Sequence, residues 1–91
     1  MPKVYNKRDK NIPPDAVYVG RPTKWGNPFV IGKYGDRDEV IRKYRSYILD
    51  RYLDEKDPIA REMVELTGRD LVCWCSPKPC HADVLLEIAN S

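Results

Sequence analysis

The chain has no run approaching the roughly 20 apolar residues that a membrane-spanning helix needs. Its opening residues, Met-Pro-Lys-Val-Tyr-Asn-Lys-Arg-Asp-Lys, contain no apolar stretch, so no secretory signal is expected. Histidine occurs once, and cysteine only three times. An odd cysteine count without a signal argues against a disulfide framework and for a reducing, cytoplasmic compartment. There is no GxGxxG fingerprint, no P-loop, no internal repeat and no low-complexity tract. At 91 residues there is room for one hydrophobic core and no second module. Together these absences exclude a multidomain enzyme, a membrane protein and a conventional secreted scaffold.

What is present describes a folded chain, with 42% hydrophobic and 33% charged residues. The net charge of +2 is mild, but it is unevenly spread. Residues 1–33 carry Lys3, Lys7, Arg8, Lys10, Arg21, Lys24 and Lys33 against only Asp9 and Asp15. A basic front third of this kind attracts phosphate. Equally, it suits a solubilising N-terminus, and residues 1–14 read as a loosely ordered basic segment of a single domain spanning residues 1–91.

Val4-Tyr5 starts a short strand, and Pro13-Pro14-Asp15 makes a turn. Residues 16–19 form a strand rich in β-branched and aromatic side chains, and residues 29–31 a short extension. The spacing of Val40, Ile41, Tyr44, Tyr47, Ile48 and Leu53 predicts a helix over residues 36–54, capped by Asp36 or Asp38. Asp57-Pro58 opens a second helix that Gly68 stops. Residues 71–75 read as a strand, 76–79 as a loop and 81–89 as the last helix. This order predicts a small α/β sandwich, with a short mixed or parallel sheet and about three helices. In such sheets ligands bind beyond the carboxyl ends of the strands, an edge that the loops at 20–28 and 76–81 should both reach.

Those two loops carry the chemistry. Cys73, Cys75, Cys80 and His81 fall within nine consecutive positions. Cys73 and Cys75 share one strand face, with Trp74 opposite, and Cys80-His81 opens the last helix, where unpaired N–H groups favour an anion. Three readings stay open. Cys73, Cys75, Cys80 and His81 can ligate zinc, although the spacing lacks the usual C-x₂₋₄-C pair. Alternatively, Cys75 or Cys80 is a reactive thiol with His81 as its proton shuttle, the set of catalytic candidates. Finally, free cysteines are often plain core residues, Cys73 most readily of the three, and His81 a cap.

The loop Arg21-Pro22-Thr23-Lys24-Trp25-Gly26-Asn27-Pro28-Phe29 offers Arg21 and Lys24 as anion clamps, Trp25 as a stacking wall and Asn27 as an orienting amide. That set suits a nucleotide or a nucleic-acid component. The competing reading is a rigid loop in which Trp25 and Phe29 plug the core and Arg21 is solvated. Arg42, Lys43 and Arg45 are expected on a solvated helix face, and Asp83 is expected to complement the start of the last helix.

Val17-Tyr18-Val19-Gly20-Arg21 with Lys24-Trp25-Gly26-Asn27-Pro28-Phe29, and Leu71-Val72-Cys73-Trp74-Cys75 with Pro77 and Cys80-His81-Ala82-Asp83-Val84-Leu85, resemble the family called domain of unknown function 4326. The resemblance runs from about Val4 to Asn90. It implies a phage-encoded or bacterial cytoplasmic setting and imports no reaction. A weaker similarity is to domain of unknown function 488, which also ends a strand with Cys and opens the next helix with Cys-His. Its pattern continues with Arg, where this chain has Ala82. Two functions are therefore expected to compete: a Cys/His-centred polar cleft that binds or processes a nucleotide or nucleic-acid component, and a non-catalytic, zinc-stapled module that binds nucleic acid or protein.

Overall fold

In a computed structural model, residues 2–76 and 78–90 are described. Pro77, read above as part of the 76–79 loop, lies outside them. The element order is β1 (Val4–Asn6), β2 (Val17–Tyr18), α1 (Arg37–Tyr52), α2 (Pro58–Glu62), a 3-10 turn (Met63–Leu66), β3 (Leu71–Cys73) and α3 (His81–Ala89). The three strands form one parallel sheet in the order β1-β3-β2. Val4 and Val17 both pair with Leu71, and Tyr5 and Tyr18 with Val72. The fold is the small α/β domain expected from the sequence, and the described sheet is parallel throughout.

β3 is buried at all three positions, as a central parallel strand covered on both faces must be. α3 lays Val84, Leu85 and Ile88 into the core, packing on β3, β1 and α1. α1 contributes Val40, Tyr44 and Ile48, which recur at helical spacing on one face. Ile59, Met63 and Leu66 close the far side.

Several boundaries differ from the sequence reading. α1 ends at Tyr52, and Leu53 is an exposed C-cap rather than a core residue. The second helix stops at Glu62 and tightens into the 3-10 turn before Gly68. Residues 29–31 form no strand: the Phe29 N–H is taken by Asn27 Oδ1 at 2.9 Å, and a turn follows, with Gly32 N bonded to Gly35 O at 2.8 Å. β3 ends at Cys73 instead of residue 75, for a reason that lies in the site itself.

Candidate functional site

Beyond Val72 and Cys73 the ladder with the outer strands lasts only through Val19 N to Val72 O and Lys7 N to Cys73 O. After that the chain folds back on its own sulfur. The backbone N–H groups of Cys75 and Ser76 both bond the Cys73 thiol. A strand cannot continue when its next donors serve a side chain behind them. Asn6 holds this bend in place, its amide donating to Trp74 O at 3.1 Å and to Ser76 O at 2.7 Å. Cys80 then caps α3 in extended conformation. The Asp83 carboxylate accepts from Cys80 N at 3.0 Å, so Asp83 serves the helix start.

These turns bring three sulfurs together. The Sγ atoms of Cys73, Cys75 and Cys80 all lie within 4.8 Å of one another, and such a group can hold a metal ion. Cys73 Sγ and Cys80 Sγ are 2.9 Å apart, and all three cysteines are free. Cys73 and Cys80 are buried, whereas Cys75 is half-buried. The Cys80 S–H beside it, reinforced by the two backbone N–H groups, lowers the Cys73 thiol to about 6. Donating to that sulfur, and buried as well, Cys80 is pushed up and keeps its proton.

His81 stands beside this group. Its Nε2 lies 2.7 Å from Val19 O, and a carbonyl can only accept, so Nε2 carries the hydrogen. Burial pushes the ring below the usual imidazole range, and the nearby Arg21 adds to the effect. In the neutral ring, Nδ1 therefore presents a lone pair to Cys80 Sγ, 3.3 Å away. Cys80 has one proton and two acceptors in reach, which makes the cluster electron-rich. Tyr44 packs its ring edge-on to His81 at 5.1 Å, and its hydroxyl donates to Trp25 O at 2.7 Å.

The sulfurs form the floor of a cleft of about 150 Å³. Arg21 and Asn27 come to it from the loop after β2, and Cys75, Cys80 and His81 from the loop after β3. Two segments about 50 residues apart in sequence thus share one hollow. Asn27 lines the cleft but has both ends of its amide engaged, donating to Val40 O at 3.3 Å and accepting from Phe29 N. Gly26 allows the close approach of this loop to Arg21: a Cβ there would sit 2.8 Å from Arg21 Cγ and 3.1 Å from its Cα.

Two residues singled out in the sequence do not reach the cleft. Trp25 is a core residue, 2% exposed. Lys24 reaches outward to Glu62 and Glu65, both of which raise its pKa by hydrogen bonding. Other residues line the cleft that sequence reasoning did not place there, among them the polar or aromatic Arg37, Tyr18 and Trp74 and the apolar Phe29, Ile31, Val40 and Ile41. Arg37 opens α1 and donates to Pro79 O at 3.2 Å, bridging the helix to the loop before Cys80. Its position in the first turn, away from the apolar face, resembles ordinary helix surface. Strand alternation through residue 75 would set Trp74 opposite the cysteines, but the chain leaves the strand after Cys73 and Trp74 lines the same cleft.

A family model described as Domain of unknown function (DUF4326) matches residues 3–91. The chain is 31% identical to "Uncharacterized protein R718" of Acanthamoeba polyphaga mimivirus, over 90% of this chain and 74% of that protein. It is 36% identical to "Uncharacterized 12.4 kDa protein in nrdA-td intergenic region" of Enterobacteria phage T4, over 81% of this chain and 67% of that protein. No solved structure matches the chain. Among the described residues no helix is long and apolar enough to cross a membrane.

Proposed function

The chain belongs to the domain of unknown function DUF4326 family, and from that footing we propose that its cleft binds a phosphate-bearing nucleotide. The observation that carries this reading is the pairing of two guanidinium groups, Arg21 and Arg37, with an apolar wall in one hollow. Neither arginine takes part in an ion pair among the described residues, whereas Lys24, Arg45 and Arg51 all do. Guanidinium forks suit phosphate oxygens in bidentate geometry. Phe29, Ile31, Val40 and Ile41 supply a surface for a base. His81 and Asn27 act as positioning residues: one ties α3 to β2, the other ties the loop to α1. Cys75, the least buried of the three thiols, is the one placed to meet a ligand.

Calorimetric titration with nucleoside monophosphates, nucleosides and inorganic phosphate tests the reading. Monophosphates should bind, and Arg21→Gln or Arg37→Gln should each weaken binding by about tenfold or more, the worth of a charge-assisted hydrogen bond. Lys24→Gln should not. A folded protein that binds no nucleotide, or binds it equally well without either arginine, would falsify the assignment.

A second reading rests on the three sulfurs. Zinc–thiolate bonds of roughly 2.3 Å in a tetrahedron set sulfurs about 3.8 Å apart, a spacing that this cluster reaches with small side-chain shifts. Cys73, Cys75 and Cys80 would hold the ion. The group close enough to share an ion comprises the three cysteines without His81, so the fourth position would face the cleft that all three line. Elemental analysis after reconstitution should find one zinc per chain, lost in Cys75→Ser. Protein that stays metal-free rejects this reading and leaves the cleft assignment intact.

A further inference from the structure

All three strands aim their carboxyl ends at one edge of the sheet, and a cationic, aromatic ridge runs along that edge just outside the cleft. Lys7 and Arg8 follow β1, Tyr18 ends β2 and Trp74 follows β3. Lys7 Nζ sits 4.6 Å from the Tyr18 ring centre, and the Arg8 guanidinium 5.6 Å from that of Trp74. The Trp74 indole N–H donates to the Tyr18 hydroxyl at 3.1 Å, which joins the two rings. Trp74 is 53% exposed, an unusual cost for so large a ring in so small a protein. Among the described residues neither Lys7 nor Arg8 enters an ion pair, and the nearby Asp9 carboxylate is taken up by Asn6 N. Tyr18 and Trp74 also line the cleft, so ridge and cleft form one continuous surface.

We propose that this surface is a binding track for single-stranded nucleic acid, with one nucleotide in the cleft and its neighbour stacked on Trp74. The inference rests on the nucleotide reading of the cleft and names its substrate class as a strand. The chemistry selects that occupant. Exposed rings with cations beside them match bases with phosphates beside them. Stacking a base on an indole gains more than an exposed cation–ring contact loses, so Arg8 can yield the Trp74 face and turn to phosphate. In a duplex the base faces are already stacked on one another, and Trp74 would find none free.

Fluorescence anisotropy with a short labelled oligothymidylate, competed by thymidine monophosphate and by the matching duplex, provides the test. The strand should bind at least about tenfold more tightly than the monophosphate, the contribution of one stacked base. Replacing both cations, Lys7→Gln with Arg8→Gln, should reduce that advantage and leave monophosphate binding unchanged, since neither residue lines the cleft. The same pair should reduce the slope of log affinity against log salt by about 1.4, two contacts at roughly 0.7 each. Trp74→Leu should remove the advantage. Equal binding of strand and monophosphate, equal binding of strand and duplex, or indifference to the double substitution overturns the track while the cleft reading survives. Strand binding that ignores Arg37→Gln separates ridge from cleft and overturns it as well. Failure of both probes on folded protein ends both readings.

Discussion

Tyr44 shows how single residues fix the site. Its hydroxyl is buried, donates to Trp25 O and sits beside the His81 ring, and burial raises its pKa. Tyr44→Phe strands the Trp25 carbonyl, so unfolding in urea should show a loss of about 1–2 kcal/mol. The residues singled out in the sequence that line the cleft are those with distinctive chemistry: Cys75, Cys80 and His81 in one loop, Arg21 and Asn27 in the other. Lys24 and Trp25 were not separable from them by sequence, because an irregular loop has no period to say which side chains face inward. Lys24 is drawn away by Glu62 and Glu65, about 40 residues further along the chain. Cys73 illustrates a different limit. It is a core residue and a member of the sulfur cluster at once, 1% exposed, so the two readings of it were never alternatives.

At the level of elements, α1 matters most to the site because its first residue is Arg37. Asp36 caps it, accepting from Glu39 N at 2.9 Å, while the Glu39 carboxylate accepts from Asp36 N at 3.2 Å. Asp36→Ala should cost about 1 kcal/mol in thermal or urea unfolding. It should also weaken nucleotide binding, since fraying here releases Arg37. Helix starts were legible: Asp36, Asp57 with Pro58, and Cys80 each open a helix close to where local sequence placed it. Strand limits were not. Phe29-Val30-Ile31 has strand-forming side chains, but its backbone donors are used locally, and β3 is cut short by N–H groups committed to the Cys73 sulfur. Propensity does not register such side-chain competition for the backbone.

Across the whole molecule, two cations of the basic front third, Lys7 and Arg8, stand at the carboxyl edge of the sheet while Lys24 turns away to Glu62 and Glu65, and the buried sulfur–imidazole cluster makes stability depend on pH. His81 is lowered by burial, so below about 6.5 the unfolded chain takes up a proton that the folded chain refuses, and stability falls. Cys73 is lowered to about 6 from an ordinary 9.0, so its contribution is complete above 9.0 and disappears as pH falls through about 6. Cys80, raised, acts in the opposite sense and erodes stability only at still more alkaline pH. The urea midpoint of metal-free protein should therefore rise from pH 5.5 to pH 8, and Cys73→Ala should flatten the climb; a midpoint that does not move with pH contradicts this account. The strand order has a consequence for biosynthesis. β1 and β2 flank β3 without pairing with each other, and β3 is translated last of the three. On the ribosome both outer strands must wait, unpaired, for some seconds at about 5–20 residues per second. A nascent chain arrested before Leu71 should be open to protease wherever it has left the ribosome, and protection should arrive all at once when the middle strand and the α3 helix that covers it have emerged.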